Sequence, residues 1–296
     1  MSTNSPDLSI VIVSWNVREL VRANLSRLFS LNPSISFEVF VVDNDSQDGT
    51  AHMIRSEFPA VHLITNTWDA GFATANNQAL RLATGRNILL LNPDMLVEPG
   101  ALETTVRQLD ADQTIGVLGI KLVTKDGAPI NNVRRFPTFG SQLAIIFKLV
   151  HVWKNLNAQY MATDFDYTKS QDVDSVRGSF FAFSRKTMDR VGVLDADYHI
   201  WFEEVDYCKR IHHAGLRVRY CAEATAQDYV GRSAAQMSRT QKQIIFTASM
   251  YRFFKKWHPK WESNMIFVCR PIGIISAWFA DGMDNLKRVP AFFRSV

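Results

Sequence analysis

Five carboxylates crowd the stretch LDADYHIWFEEVD at residues 194–206: Asp195, Asp197, Glu203, Glu204 and Asp206, with Tyr198 and Trp201 between them. After Glu203, Val205, Cys208 and Ile211–His212 recur at the spacing of one helical face, which predicts a helix with an acidic first turn. Glu204 stands at its mouth, where exposed N–H groups favour a carboxylate. Such a residue either caps a surface helix, the common case, or acts as a general base on a substrate hydroxyl. Three more polar corners, at Asn16, Asp43 and Asn92–Asp94, each follow an apolar run. Asp and Asn are ordinary turn formers. Gathered at one sheet edge, however, a carboxylate can accept from a base or ribose, and another can hold a hard divalent cation that neutralises a diphosphate.

Those corners need a sheet to carry them. LSIVIVS (8–14), FEVFVV (37–42), residues 61–64 and NILLL (87–91) read as strands, the first two continuous enough to be buried on both faces. Helical spacing fills the gaps: Val17 to Phe29, about 51–58, 71–83, and a helix opened by Pro99. Strand–helix alternation predicts a parallel, right-handed α/β sheet, which binds ligands beyond the carboxyl ends of its strands. No GxGxxG and no GxxxxGK[ST] follows the first strand, which disfavours a dinucleotide site and a P-loop.

At 296 residues the chain can bury a large core, and 47% hydrophobic with 21% charged residues excludes disorder. The net charge of +4 is unevenly placed. From Arg239 onward ten Lys or Arg face three acids, a local +7 that leaves −3 for residues 1–238. The basic end suggests an anionic surface as partner; no nucleic-acid motif accompanies it. Cys208, Cys221 and Cys269 form no CxxC pair, which excludes a cysteine-rich zinc site and fits a reducing compartment. MSTNSPDLSIVIVS has neither basic region nor cleavage site, so no signal peptide is expected. The run 265–280 is broken by Arg270–Pro271 and reads as too short to span a bilayer. With Trp257, Trp261 and Trp278, Phe267, Phe279, Phe292 and Phe293, and the nearby lysines, it reads instead as an interfacial anchor. GSQLAIIFKLVHVW (140–153) reads as a core helix or a flap meeting lipid, and 160–174 as a mobile polar loop.

Six segments occur in order: SIVIVSWN (9–16), VVDNDSQDGT (41–50), DAGFATANN (69–77), LLLNPD (89–94), VRGSFFAFSRK (176–186) and LDADYHIWFEEVDYCKR (194–210). Together they resemble the inverting family 2 glycosyltransferases of GT-A fold. The NPD corner and RRFPTF (134–139) resemble the rhamnosyltransferase-like members that build bacterial surface polysaccharides. The resemblance covers about residues 8–233 and implies a mostly parallel nucleotide-binding sheet flanked by helices. It assigns a glycosyltransferase domain to 1–233, with a donor half to about 120 and an acceptor half from 121, and a C-terminal helical, membrane-associating extension to 234–296.

The resemblance also implies roles. Asp43 would read a pyrimidine base, with Ser14, Asn16, Asp45 and Asn76 lining the nucleotide-sugar pocket. Asn92 and Asp94 would take the first and last places of the family's DxD, so that Asp94 binds Mg2+ or Mn2+ on the donor diphosphate. Glu204 would be the general base; Gly178, Trp201, Glu203 and Asp206 would face the acceptor. The chain departs from the family at three places. Glu204 stands where Asp is usual, Asp69 replaces a usual Asn, and Asp228 replaces the His of the HxxxxS segment ending at Ser233, where it would be a second metal ligand.

The expected activity is therefore metal-dependent inverting transfer of a sugar, rhamnose from dTDP-rhamnose, to a glycan or lipid-linked acceptor, by a cytoplasmic protein held peripherally on the inner face of the plasma membrane. Transfer from a UDP-hexose and mere binding of a nucleotide-sugar are the alternatives. A sugar-1-phosphate nucleotidyltransferase is disfavoured, since no glycine-rich loop with Arg and Lys follows the first strand.

Overall fold

The computed structural model describes residues 5–229 and 236–288; Ser233, Ala234, Phe292 and Phe293 lie outside the described residues. The chain divides into two compact units, Met1–Phe136 with Gln159–Ser233, and Pro137–Ala158 with Ala234–Val296. Residues 137–158, kept with the acceptor half in the linear reading, thus group with the C-terminal helices.

The first unit begins β1 (Leu8–Ser14), α1 (Arg18–Ser30), β2 (Phe37–Asn44), α2 (Thr50–Glu57), β3 (His62–Asn66), α3 (Phe72–Leu80) and β4 (Asn87–Leu91). It continues β5 (Met95–Val97), α4 (Ala101–Ala111), β6 (Ile115–Val123) and β7 (Val133–Arg134). After α5 (Phe139–Ile146) of the second unit come β8 (Gln171–Val173), β9 (Ser175–Val176), β10 (Phe180–Ser184), α6 (Arg185–Val191), α7 (Glu203–His213) and β11 (Arg217–Asp228). The second unit closes with α8 (Arg239–Trp257) and α9 (Lys260–Arg288). Helix α4 starts two residues beyond Pro99, because Gly100 takes φ +79° and delays it.

Nine strands form one sheet in the order β3-β2-β1-β4-β10-β6-β11-β5, with β8 also on β11. The half β3-β2-β1-β4 is wholly parallel. Strand β10 then runs antiparallel between β4 and β6, and β11 lies parallel to β6. Successive residues feed opposite faces: Ile10, Ile12, Leu89 and Leu91 join one apolar cluster, Val11, Ile88 and Leu90 the other. Burial on both faces is why these strands read as unbroken apolar runs rather than alternating ones.

Residues 160–174 are not the mobile loop their polar composition suggested. Phe165 and Tyr167 stand edge-on to Tyr220 at 5.2 and 5.5 Å, and Tyr167 donates from its hydroxyl to Asn131 Oδ1 at 2.6 Å. Two rings anchor what the surrounding acids and amides made look like a solvated segment.

In the second unit, α9 buries a small-residue face, Ser263, Cys269 and Ala277 with Ile266. A Cβ on Gly273 would lie 2.8 Å from Gln243 Nε2 of α8 and 3.2 Å from Ile146 O of α5, so the three helices meet closely there. Asp281 accepts from the N–H groups of Arg239 and Thr240, closing the start of α8. Pro271 does not break the helix: Lys260–Met283 is continuous and, by length and composition, long and apolar enough to cross a membrane. That corrects the expectation of a run too short to span. An internal proline costs a helix about 3 kcal/mol, and here it lies where α9 packs closely on α5 and α8 at Gly273.

Candidate active site

The first polar corner forms where β1 and β2 end side by side. Parallel register sets Ser14 against Asp43, and Ser14 donates its hydroxyl to Asp43 Oδ1 at 2.9 Å. Asp43 is buried, and its other oxygen takes the Ser46 N–H at 3.4 Å. Asn16 donates its N–H to Ser46 Oγ at 2.8 Å and accepts from the Gln47 N–H at 2.7 Å. Asn16 and Asp45 hold φ of 51° and 59°, left-handed values that non-glycine residues adopt at a cost and that cluster at functional sites. Asp45 is exposed beside this corner, while Asn76 is buried on α3 with its amide on Phe72 O and its Oδ1 unpartnered.

The Asp69 departure has a structural partner. His199 Nε2 lies 3.2 Å from Asp69 Oδ2, and the other oxygen takes the Gly71 N–H at 3.0 Å and the Asn44 amide at 3.3 Å. The His199 hydrogen bond holds the Asp69 carboxyl below its ordinary range, and Asp69 in turn raises the His199 imidazole. A Cβ on Gly71 would come within 2.6 Å of His199 O, which fixes glycine there. Asn77 completes the tie, donating to Leu194 O and accepting from the Leu194 N–H.

The Asn92–Asp94 corner is held by residues the linear reading missed. Asn24, inward on α1, donates to Asn92 O at 3.1 Å and Met95 O at 2.9 Å, and the Asn92 N–H bonds Ser179 O at 2.9 Å. Strand β5 then pairs antiparallel with β11, setting Asp228 opposite Met95, and the Tyr229 N–H donates to Asp94 O at 3.0 Å. Asp94 and Asp228, remote in sequence, are thereby neighbours, and both are buried. Asp94 is thus enclosed rather than perched on an open strand end. Two carboxylates are hard-oxygen donors suited to Mg2+ or Mn2+. Among the described residues no set of three or more His, Cys, Asp or Glu converges, so further ligands would have to come from a diphosphate and water.

Helix α7 begins where expected. Trp201 and Phe202 reach it through left-handed φ of 67° and 70°, which turn the chain sharply into Glu203. Asp206 is fully buried, with Arg210 Nε 3.0 Å from Oδ2 and Tyr198 Oη 3.4 Å from Oδ1. Arg210 also donates to Val191 O and Val193 O, so Asp206 braces the 191–198 turn from within. Glu203 is buried with its Oε2 unpartnered; burial, then repulsion from Glu204, pushes its carboxyl well up. Glu204 is half-buried, yet its Oε2 is shielded from solvent and also lacks a partner. Burial raises the Glu204 carboxyl too, opposed by backbone N–H groups of the first turn and by the charges of Arg177 and Arg134. Both carboxyls are thus pushed up by burial, and the charges of Arg177 and Arg134 oppose that rise at Glu204.

Residues 177–179 connect the parts. Arg177 Nη1 lies 3.4 Å from Asp228 Oδ2. A Cβ on Gly178 would sit 3.7 Å from Glu204 Cβ, and Ser179 O holds Asn92. The antiparallel pair β7–β9 sets Arg134 opposite Ser175, and the Arg177 N–H donates to Asn132 O at 2.9 Å. Arg134 and Arg177 therefore stand diagonally on one face, about 7–8 Å apart at the backbone, and both act on Glu204. Arg134 carried a signal in RRFPTF; Arg177 carried none beyond its place before Gly178.

The model of the family described as Glycosyl transferase family 2 matches residues 9–192. A low-salt glycan biosynthesis hexosyltransferase of Haloferax volcanii is 22% identical over 221 residues, 73% of this chain and 64% of that protein. An N-acetylglucosaminyl-diphospho-decaprenol L-rhamnosyltransferase of Mycobacterium tuberculosis is 23% identical over 86% of each chain. The chain thus spans just under two thirds of the first of these relatives and most of the second. In structure it resembles a mannosyltransferase from Pyrobaculum calidifontis in complex with GDP-Man and Mn2+, with a TM-score of 0.58 and 19% identity over 94% of this chain and 74% of the other. With well over half its length matched by that family's model, this chain belongs to glycosyl transferase family 2.

Proposed function

We propose that the protein transfers a sugar from a nucleoside diphosphate, with inversion, to a hydroxyl of a lipid-linked glycan, and that rhamnose on dTDP is the donor. One observation carries the reading: the unpartnered Oε2 of Glu204, shielded at the start of α7 and joined through residues 177–179 to the corner bearing Asp94. A buried acceptor atom without a donor is costly; an incoming hydroxyl satisfies it. As the acceptor oxygen bonds to the anomeric carbon, the bond from that carbon to the diphosphate breaks, and the hydroxyl proton passes to Glu204 Oε2. A divalent cation bound by Asp94 and Asp228 would neutralise the charge growing on the leaving diphosphate. Asp43, with Ser14 orienting it, would meet the base, and Asn16 and Asp45 would line the same pocket. The charges of Arg177 and Arg134 oppose the rise that burial gives the Glu204 carboxyl, and so favour its proton-accepting form.

The rhamnosyl donor and diphospholipid acceptor follow the printed activity of the mycobacterial relative, and a metal follows the Mn2+ of the mannosyltransferase. Thermal-shift titration with dTDP-rhamnose, UDP-glucose and UDP-N-acetylglucosamine, each with and without Mg2+, tests the choice, because a ligand that binds only the folded state raises its melting temperature. The largest Mg2+-dependent shift is expected with dTDP-rhamnose; a larger shift with a UDP-sugar reassigns the donor.

We further propose that α9 lies on a membrane rather than across it. Its buried face is held by α5 and α8, while Met265, Val268, Ile272, Ile275, Phe279 and Met283 leave an exposed apolar stripe with Trp261 and Trp278 near its ends. Lys255 and Lys256 of α8 are exposed to meet anionic headgroups. The nucleotide-sugar donor puts that surface on the cytoplasmic side. The protein should co-sediment with vesicles containing anionic lipid, less at raised salt, and not at all when truncated after Lys260. Co-sedimentation unaffected by both changes would refute the surface.

A further inference from the structure

We propose that Arg177 is a shared counter-ion: it neutralises Asp228 until a divalent cation takes that carboxylate, and thereafter serves Glu204. This rests on the reading of Asp94 and Asp228 as a cation site. Arg177 Nη1 lies 3.4 Å from Asp228 Oδ2, whose side chain is 2% exposed, so the guanidinium occupies ground that a metal on that oxygen would need. Two cations cannot share one buried carboxylate oxygen without strong mutual repulsion. The Arg177 backbone is fixed, its N–H on Asn132 O, and Gly178 beside it is held against Glu204. With its backbone so tied, Arg177 can respond through its long side chain, whose charge already acts on Glu204. Arg134, diagonal across β7–β9, repels Arg177 and is itself tied by Nη1 to Asn131 and Val133, so it does not exchange places with it.

The consequence is a coupling. Arrival of the cation, with its donor, releases a positive charge toward the base, so Glu204 is best prepared when a donor is in place. By linkage the effect is reciprocal. The charged or titratable groups around Glu204 are Glu203 and Cys208 on α7, Arg134 on β7, Tyr160 and Arg177. Among them, Arg177 is the one also bonded to the proposed cation site.

The test is Mn2+ titration of the donor-free full chain by electron paramagnetic resonance, for wild type, Arg177→Gln and Arg177→Lys, with the pH profile of turnover for each. Arg177→Gln should bind Mn2+ about two- to fivefold more tightly, the scale of a partly exposed ion pair no longer in competition. It should nonetheless turn over more slowly, with the acid limb of its profile moved to higher pH. Arg177→Lys keeps the charge and should return both readouts toward wild type. A merely structural role predicts weaker Mn2+ binding and an unmoved acid limb, and either result overturns the proposal; should Arg177→Gln fail to fold, Arg177→Lys bound to Mn2+ no differently from wild type but with an acid limb displaced as far as for a neutral residue does the same. Wild type that takes up no Mn2+ either alone or with dTDP present removes the cation site, and the inference with it.

Discussion

Glu204→Gln should lower turnover by about 10²–10⁴-fold, the scale of a lost general base, with donor affinity nearly unchanged. Gln preserves the size and one acceptor of Glu204 but cannot take the acceptor's proton. Glu203→Gln should cost little by comparison. Burial, then repulsion from Glu204, pushes the Glu203 carboxyl well up, which favours its neutral form, and Gln is a neutral group of the same shape. Glu204→Asp, which restores the usual family residue, should retain part of the activity. The pH dependence has a definite sign. The proposed base must be ionised to accept a proton and burial raises the Glu204 carboxyl, so turnover should fall on acidification at a higher pH than for an exposed carboxylate. Steady-state kinetics of the three variants across pH decide this: full activity in Glu204→Gln beside a dead Glu203→Gln would move the base to its neighbour.

Asp94→Asn should abolish cation-dependent donor binding, a loss of at least about 100-fold, since even residues that only orient metal ligands change affinity by 10–100-fold. Asn is the better probe than Ala because Asp94 is buried at the β5 corner, and a truncation there would confound binding with stability. Calorimetric titration of donor with and without Mg2+ reads the effect, and an unshifted melting temperature confirms the fold. Equal affinity in the variant would leave the cation to other groups.

Much of the first half of the chain was legible because fully buried parallel strands write themselves as unbroken apolar runs. Each ends in a polar corner that the chain cannot bury without a partner, and Ser14–Asn16, Asp43–Asp45 and Asn92–Asp94 all lie at such ends. Helix α7 was legible from its period and acidic first turn. Linear reading failed where partners are distant. No local pattern says that β10 enters antiparallel between β4 and β6, or that Asn24 faces inward to hold Asn92. The alternation in RVRYCAEATAQD does carry a strand period that would have found β11 and placed Asp228 at its end. The tail misled in the opposite direction, since Arg270–Pro271 looks like a stop and yet lies within continuous helix.

Residues 177–179 pair with Asp228, pass beside Glu204 and bond Asn92, whereas Ser14, Asn16, Asp43, Ser46 and Gln47 bond one another and Asn44 ties that corner to Asp69, Gly71 and Asn66. Substitutions in the tripeptide disturb leaving group, base and acceptor together, and selection would seldom tolerate them singly. The corner at Ser14–Asn16 and Asp43–Gln47 is closed more locally, with Asn44 as its tie to Asp69. On the roles proposed above, a chain wired in this way would change its donor nucleotide by fewer coupled substitutions than its chemistry, which would make donor choice the easier property to re-engineer by stepwise mutagenesis.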